Sequence, residues 1–416
     1  MPPLAGLILF SFYFTPIPMF APTHIMPKPV GARCNLNCAY CYYLEKEKLY
    51  DQHRRNEMSD ETLERFVREY IAIQPADEVL FTWHGGEPLM RQRSFYERAL
   101  ELQAKYAQGK IISNALQTNG TLLTDDWCKF FVDNEFLIGI SIDGTEEMHN
   151  RYRQTRNQRG TWKQVMQGIA LLHRHGVMWN AMAVVNDFNA QRPEEFYDFF
   201  RSIDCQHLQF TPIVERAHSH PDGRQLASPI EAHATAEVLP MSVKPDDWGV
   251  FLCRTFDRWV KNDVGRVFVQ IFESTLASWV GQPSGLCTMA PTCGHALAME
   301  HNGDVYSCDH YVFPEFHLGN IHQHSLAAMR YHPAQLAFGE NKKRLLTSQC
   351  KSCRWRFACN GDCPRTRFTW NALGESGHPY LCAGWMRYFA HVAPTMDRLK
   401  TLLEAGRPAE EIMQEL

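Results

Sequence analysis

The chain has 416 residues, 45% of them hydrophobic, which is enough to bury a large core and suggests two or more domains. The formal net charge is -4, so there is no basic surplus and nucleic acid is not favoured as a partner. The 14 cysteines fall largely in close spacings, which in a long chain read as metal ligands before disulfides.

Residues 1–23 are apolar and carry no Lys or Arg. A signal peptide needs a positively charged start. Pro16, Pro18 and Pro22 break the run well short of the roughly 20 apolar residues of a spanning helix. The segment reads as an extension, with Met26 a candidate alternative start, and no other stretch approaches a membrane span.

An apolar stretch at 25–30 predicts a strand and leads into Cys34-Asn-Leu-Asn-Cys38-Ala-Tyr-Cys41, followed by Tyr42 and Tyr43. Three thiolates on one tight loop can hold three irons of a [4Fe–4S] cluster and leave the fourth open. Such clusters normally take four thiolates. A missing ligand suggests a position kept for substrate or cofactor, as catalytic metal sites keep one. The alternative is a zinc loop, for which His53 is the only early fourth ligand.

Further strands are predicted at 78–83, 110–117, 136–142, 177–185 and 207–213. Helices are predicted between them at 59–73, 94–107, 124–134, 161–175 and 193–202, with Ser59 and Thr124 as N-caps. This alternation argues for βαβ units and a parallel sheet. With 25–30 the units number six, a partial barrel rather than a closed eight-unit one. Gly85-Gly86-Glu87-Pro88 closes one strand, and glycines there let the backbone approach a ligand. Ser141 ends another strand, and Arg153 lies in the loop 149–153; arginine offers a planar fork for a carboxylate. Gln117, Thr118 and Asn119 end a third strand, at the end of the sheet where the site is expected, with no individual role assigned.

Residues 215–245 read as an irregular connection. A helix at 246–261 carries Trp248, Phe251, Leu252, Phe256 and Trp259 on its apolar positions, and a final helix spans 384–403. Eight cysteines lie between them: Cys287, Cys293, Cys308, Cys350, Cys353, Cys359, Cys363 and Cys382. Eight thiolates would complete two [4Fe–4S] clusters; structural zinc is the competing reading. Cys128, Cys205 and Cys253 read as buried small hydrophobes. Asp309 directly follows Cys308, where a carboxylate can take a proton beside an electron-accepting cluster. The organisation expected is an extension at 1–23, a barrel at 24–245, a helical connection at 246–285, a cysteine-rich domain at 286–383 and a C-terminal helix at 384–416.

The triplet resembles the signature of radical S-adenosylmethionine (SAM) enzymes, and the eight later cysteines resemble the twin-cluster SPASM domain. Cys34–Glu45, Thr82–Pro88, Asn114–Thr121, Gly139–Gly144, Leu208–Phe210, Asp304–Tyr311 and Leu318–Ile321 together resemble the anaerobic sulfatase-maturating enzymes. The resemblance implies an α/β fold: a partial (β/α)6 radical SAM barrel, then a SPASM domain with two auxiliary clusters and a C-terminal helix. It implies three [4Fe–4S] clusters and SAM as cofactors. Cys287, Cys293, Cys308 and Cys363 would hold one auxiliary cluster; Cys350, Cys353, Cys359 and Cys382 would hold the other. Gly85, Gly86 and Glu87 would hold the methionyl ammonium, and Ser141 and Arg153 the carboxylate. Tyr40 and Leu208 would pack around the adenosine. Asp309 would be the base, with Tyr43 near the reacting atoms.

The activity implied is oxidation of one Cys or Ser of a sulfatase to formylglycine, through a 5′-deoxyadenosyl radical and without oxygen. The partners implied are the sulfatase polypeptide and a reduced flavodoxin or ferredoxin-type electron donor, in the cytoplasm, with neither nucleic acid nor membrane. One departure stands out: relatives usually carry Gln before the two glycines, where this chain has His84. Two other readings are a SPASM maturase crosslinking another ribosomal peptide, and a non-catalytic regulator or redox protein.

Overall fold

The computed structural model describes residues 23–50, 56–220, 223–229 and 236–415. Residues 1–22 of the extension expected at 1–23, and His53, lie outside them. The first strand, β1, is His24–Pro27, shorter than the apolar run 25–30. Pro27 and Pro29 lack the N–H that a longer ladder would use.

Five strands follow the predicted alternation: β2 Glu78–Trp83, β3 Ile111–Thr118, β4 Leu137–Ser141, β5 Trp179–Val185 and β6 His207–Pro212. Each is parallel to the next, and the helices between them lie where the pattern placed them. Ser59 accepts from Thr62 N and Thr124 from Trp127 N, so both caps form; each is worth about 1 kcal/mol. The expected loop 149–153 is instead the end of a helix, Glu146–Tyr152. Glu146 and Glu147 in its first turn complement the helix dipole, and Arg153 is its C-cap.

Residues 215–245 are not simply irregular. They contain an antiparallel sheet of β7 Arg216–His220, β8 Gly223–Leu226 and β9 Glu237–Val238, in the order β8-β7-β9. The His, Ser and Arg side chains there hide the two-residue period that identifies a strand.

The sixth barrel strand is a correction. It is β10, Phe268–Val269, from the expected helical connection, and it pairs in parallel with β6. The sheet order is β10-β6-β5-β4-β3-β2. Two residues carry no periodic signal, so β10 was invisible in the sequence. Strand β1 joins a different sheet, β1-β11-β12-β13, with β11 Ala296–Met299, β12 Asp304–Tyr306 and β13 His317–Asn320. The barrel's lead-in strand is therefore built into the cysteine-rich part of the chain.

A helix pair closes the other side. Pro245–Asn262 crosses Cys382–Glu404 where Gly249 meets Gly384; a Cβ on Gly384 would lie 2.3 Å from Pro245 O. Trp248 and Trp385 meet edge to face there, 5.7 Å apart. One hydrophobic core runs from Ile25 through the barrel to Ile412. This shared core and sheet hold the cysteine triplet against the loop that carries Asp309.

Candidate functional site

The triplet loop is sewn to the segment after β4. Asn37 N donates to Gln154 O at 2.8 Å and Ala39 N to Tyr152 O at 2.9 Å. Cys34 Sγ accepts from Leu36 N at 3.4 Å and from Asn119 Nδ2 at 3.7 Å, the kind of N–H···S contact that tunes cluster sulfurs. Burial pushes the Cys34 thiol up to about 12 and raises Cys38 as well. Thiols so placed become thiolates on a metal rather than in its absence.

The two glycines of 85–88 serve this loop directly. Gly86 N donates to Gly31 O and Glu87 N to Arg33 O, both at 2.9 Å. Gly85 has φ +125°, and a Cβ on Gly86 would stand 2.0 Å from Arg33 O. The close approach that requires glycine is thus to the chain entering Cys34. Glu87 is fully buried and accepts from Leu89 N at 2.9 Å, Thr118 Oγ1 at 2.8 Å and Asn119 N at 2.8 Å. Burial pushes its carboxyl up to about 7.

Arg153 and Tyr40 meet at Asp143, a residue to which sequence reasoning gave no role. Its Oδ2 accepts from Tyr40 OH at 2.5 Å and Arg153 Nε at 2.9 Å, and its Oδ1 from Val184 N at 2.9 Å. Asp143 is fully buried, so it fastens the triplet loop, the arginine and β5 together. Gln117 Nε2 donates to Ser141 Oγ at 3.1 Å, which links the ends of β3 and β4. Leu208 lies in the barrel core, with Ala181 and Val269 on the flanking strands.

Asp309 is the most heavily engaged residue of the site. Its Oδ2 accepts from Tyr42 OH and Tyr43 OH, each at 2.5 Å, and Lys28 Nζ stands 2.9 Å from Oδ1. Burial raises the Asp309 carboxyl, but the Lys28 ammonium more than offsets it and holds it well below the usual carboxylate range. Burial raises both tyrosines, which therefore stay neutral donors. His84 Nδ1 accepts from Gly85 N at 2.8 Å and lies 3.1 Å from Tyr43 OH. Burial lowers its pKa, so it is a neutral imidazole here. The Tyr42 ring lies 5.0 Å from that of His310 and beneath Arg365, which pairs with Glu215. Lys28, Glu300 and Arg365 went unremarked in the sequence, and Tyr42 was noted only as an aromatic after the triplet; a lone Lys between a strand and a cysteine loop carries no signal by itself.

No disulfide forms among the described residues. The eight later cysteines gather as two fours. Cys308 lies near Cys363 and Cys287, and Cys363 near Cys287 and Cys293. Cys382 neighbours Cys350, Cys353 and Cys359. The second four line a cavity of about 240 Å³ with Trp355 and His378. Burial pushes Cys363 and Cys382 up to about 12. Among the described residues no three His, Cys, Asp or Glu side chains converge as one bare ion requires. Thiol-only donor sets, grouped in fours, suit multi-iron clusters. Cys128 and Cys205 are buried in the core, and Cys253 is buried on its helix.

Residues 29–200 match the radical SAM superfamily, and residues 291–354 match SPASM, the iron–sulfur cluster-binding domain. The serine-type anaerobic sulfatase-maturating enzyme of Bacteroides thetaiotaomicron is 56% identical over 399 residues, 96% of each chain. The cysteine-type enzyme of Clostridium novyi is 32% identical over 82% of this chain and 87% of its own. The solved structure of native anSMEcpe with bound AdoMet and Cp18Cys peptide superposes with a TM-score of 0.79 at 28% identity, over 92% of this chain and 99% of that one. A barrel and a twin four-thiol domain sharing one core, together with this identity along nearly the whole length, place the chain in the family of anaerobic sulfatase-maturating enzymes, radical SAM proteins that carry a SPASM domain.

Proposed function

We propose that this protein oxidises a serine of a sulfatase polypeptide to formylglycine. Identity supports serine over cysteine as the target: 56% to a serine-type enzyme against 32% to a cysteine-type one. The observation that carries the chemistry is Asp309, buried beside the triplet loop and gripped by Tyr42, Tyr43 and Lys28.

Cys34, Cys38 and Cys41 would hold the cluster with the open corner, and the two thiol sets the auxiliary clusters. With SAM bound, these groups supply one-electron cleavage of the cofactor, hydrogen-atom removal and electron acceptance. The chain's own residues place and discharge the substrate. Arg153, held at Nε by Asp143, presents its remaining nitrogens as a fork for the methionyl carboxylate. Ser141 adds a short donor, and Tyr40 and Leu208 give apolar surface for the adenosine. Gly85, Gly86 and Glu87 shape the ammonium end. Asp309 takes the hydroxyl proton as the carbon is oxidised. Tyr42 and Tyr43 occupy Oδ2 and leave Oδ1, which faces Lys28, as the oxygen that accepts. No described helix is long and apolar enough to cross a membrane; cytoplasm and a reduced flavodoxin or ferredoxin-type donor complete the reading.

The test is anaerobic reconstitution, followed by mass spectrometry of two sulfatase-motif peptides that carry Ser or Cys at the target. The serine peptide should lose two hydrogens on incubation with SAM and reductant. An intact Cys34→Ala protein that still makes the aldehyde, or a native enzyme that turns over only the cysteine peptide, would overturn the proposal.

A further inference from the structure

Lys28 is 1% exposed and stands between two carboxylates, Nζ being 2.9 Å from Glu300 Oε1 and 2.9 Å from Asp309 Oδ1. Sheet register sets this up. Strands β1 and β11 run parallel with Pro27 opposite Met299, so the next residues, Lys28 and Glu300, come face to face. Lys28 N donates to Met299 O at 2.8 Å, and Nζ lies 4.6 Å from the centre of the Tyr43 ring. Glu300 is fully buried, and its Oε2 has no hydrogen-bond partner among the described residues. Its contact with Lys28 is therefore its main polar engagement.

A buried set of one cation and two carboxylates is a poor way to gain stability, because desolvation absorbs most of the Coulombic gain and apolar packing does as well. Its position suggests a use. Tyr42 and Tyr43 take Oδ2 of Asp309 and leave Oδ1 to Lys28. His84, His310 and the Cys308 thiol are further titratable neighbours.

The geometry points to Lys28, braced by Glu300, as a positioning residue for Asp309. It fixes the carboxylate plane through the oxygen that the tyrosines leave, so the proton of the target side chain meets an aligned acceptor. This rests on the reading of Asp309 as the base.

The experiment uses the reconstituted holoenzyme and the serine peptide. Lys28→Met should keep iron content, equilibrium SAM binding and SAM cleavage within about twofold of native, while formylglycine formed per 5′-deoxyadenosine released falls about tenfold or more. Lys28→Arg, which restores the cation, should recover that ratio to within about threefold. A purely structural role would move iron content and SAM binding together with the ratio, and arginine would not repair it selectively. Lys28→Met leaves two unpaired carboxylates and is at risk of not folding. The double variant Lys28→Met with Glu300→Gln keeps the native net charge of the buried set, and the same loss of coupling is expected. Native coupling in either folded variant, or parallel loss of clusters and SAM binding in both, overturns the inference. Asp309→Asn separates the two readings: if it couples normally the base assignment fails, whereas normal coupling in the Lys28 variants alone removes only the role of Lys28.

Discussion

Gly86 lies so close to Arg33 that a Cβ on it would stand 2.0 Å from the Arg33 carbonyl oxygen. That carbonyl accepts from Glu87 N, so relieving the clash means parting the chain that enters Cys34 from the end of β2. Gly86→Ala should lose the cluster at the triplet and keep the auxiliary pair, so that iron per chain falls from about twelve to about eight. Iron and sulfide analysis checks this; full iron with normal SAM binding would show that the loop tolerates the methyl.

Asp309→Asn keeps the size of the side chain and removes its capacity to take a proton. Formylglycine formation should fall about 100-fold or more while SAM cleavage changes by less than about threefold. Quantifying both products from one reaction decides it. Equal losses would assign Asp309 to cofactor binding instead.

Arg153 is held by Asp143 through Nε, which leaves the planar fork aimed by a buried carboxylate. Arg153→Lys retains the charge but not the fork, so the dissociation constant of SAM should rise about tenfold or more. Asp143→Asn, which weakens the hold on both Arg153 and Tyr40, should weaken SAM binding in the same direction. Calorimetry under nitrogen measures both; unchanged affinity in the lysine variant would remove Arg153 from the carboxylate site.

The two thiol fours make opposite forecasts from those of chain proximity. Cys363 neighbours Cys287, Cys293 and Cys308, whereas Cys359 neighbours Cys382. Cys363→Ala and Cys359→Ala should each leave about eight irons, and the double variant about four. If residues close in sequence shared one cluster instead, the double variant would still hold about eight.

Glu273, on the helix Gln270–Trp279, has its carboxyl pushed up to about 7 by burial. The folded state therefore holds a proton that the unfolded chain releases near its ordinary value. Stability falls as pH rises from about 4.5 to about 7 and stays lowered above that. Glu273→Gln removes the penalty and should raise stability by about 1–2 kcal/mol at pH 8 with little change at pH 5. Thermal melts at the two pH values test this; an equal gain at both would point to packing rather than charge.

Several elements were legible because their signals are local. Alternating apolar runs between Gly and Asn-Gly turns located five barrel strands to within a few residues, and Ser59 and Thr124 cap as their types suggest. The spacing of the cysteine triplet marked a metal-binding loop, and its resemblance to the radical SAM signature implied the chemistry. Other features had no local trace. The two-residue β10 is a strand because β6 offers it an edge, not because of its composition. The small sheet of β7, β8 and β9 lacks apolar alternation. The helix Glu146–Tyr152 is short enough for its histidine and arginine to read as a loop.

What the sequence determined by itself was the donor inventory: three thiols in one turn, eight more for two clusters, and a carboxylate beside one of them. Spacing along a chain constrains such ligands because a loop can reach only so far. What only the tertiary structure decided was which groups share a point in space. The parallel pairing of β1 with β11 set Lys28 against Glu300 and Asp309, and the fold carried Cys363 away from its neighbours in the chain to Cys308. Those juxtapositions follow from long-range register and shared core packing, which residue order does not encode locally.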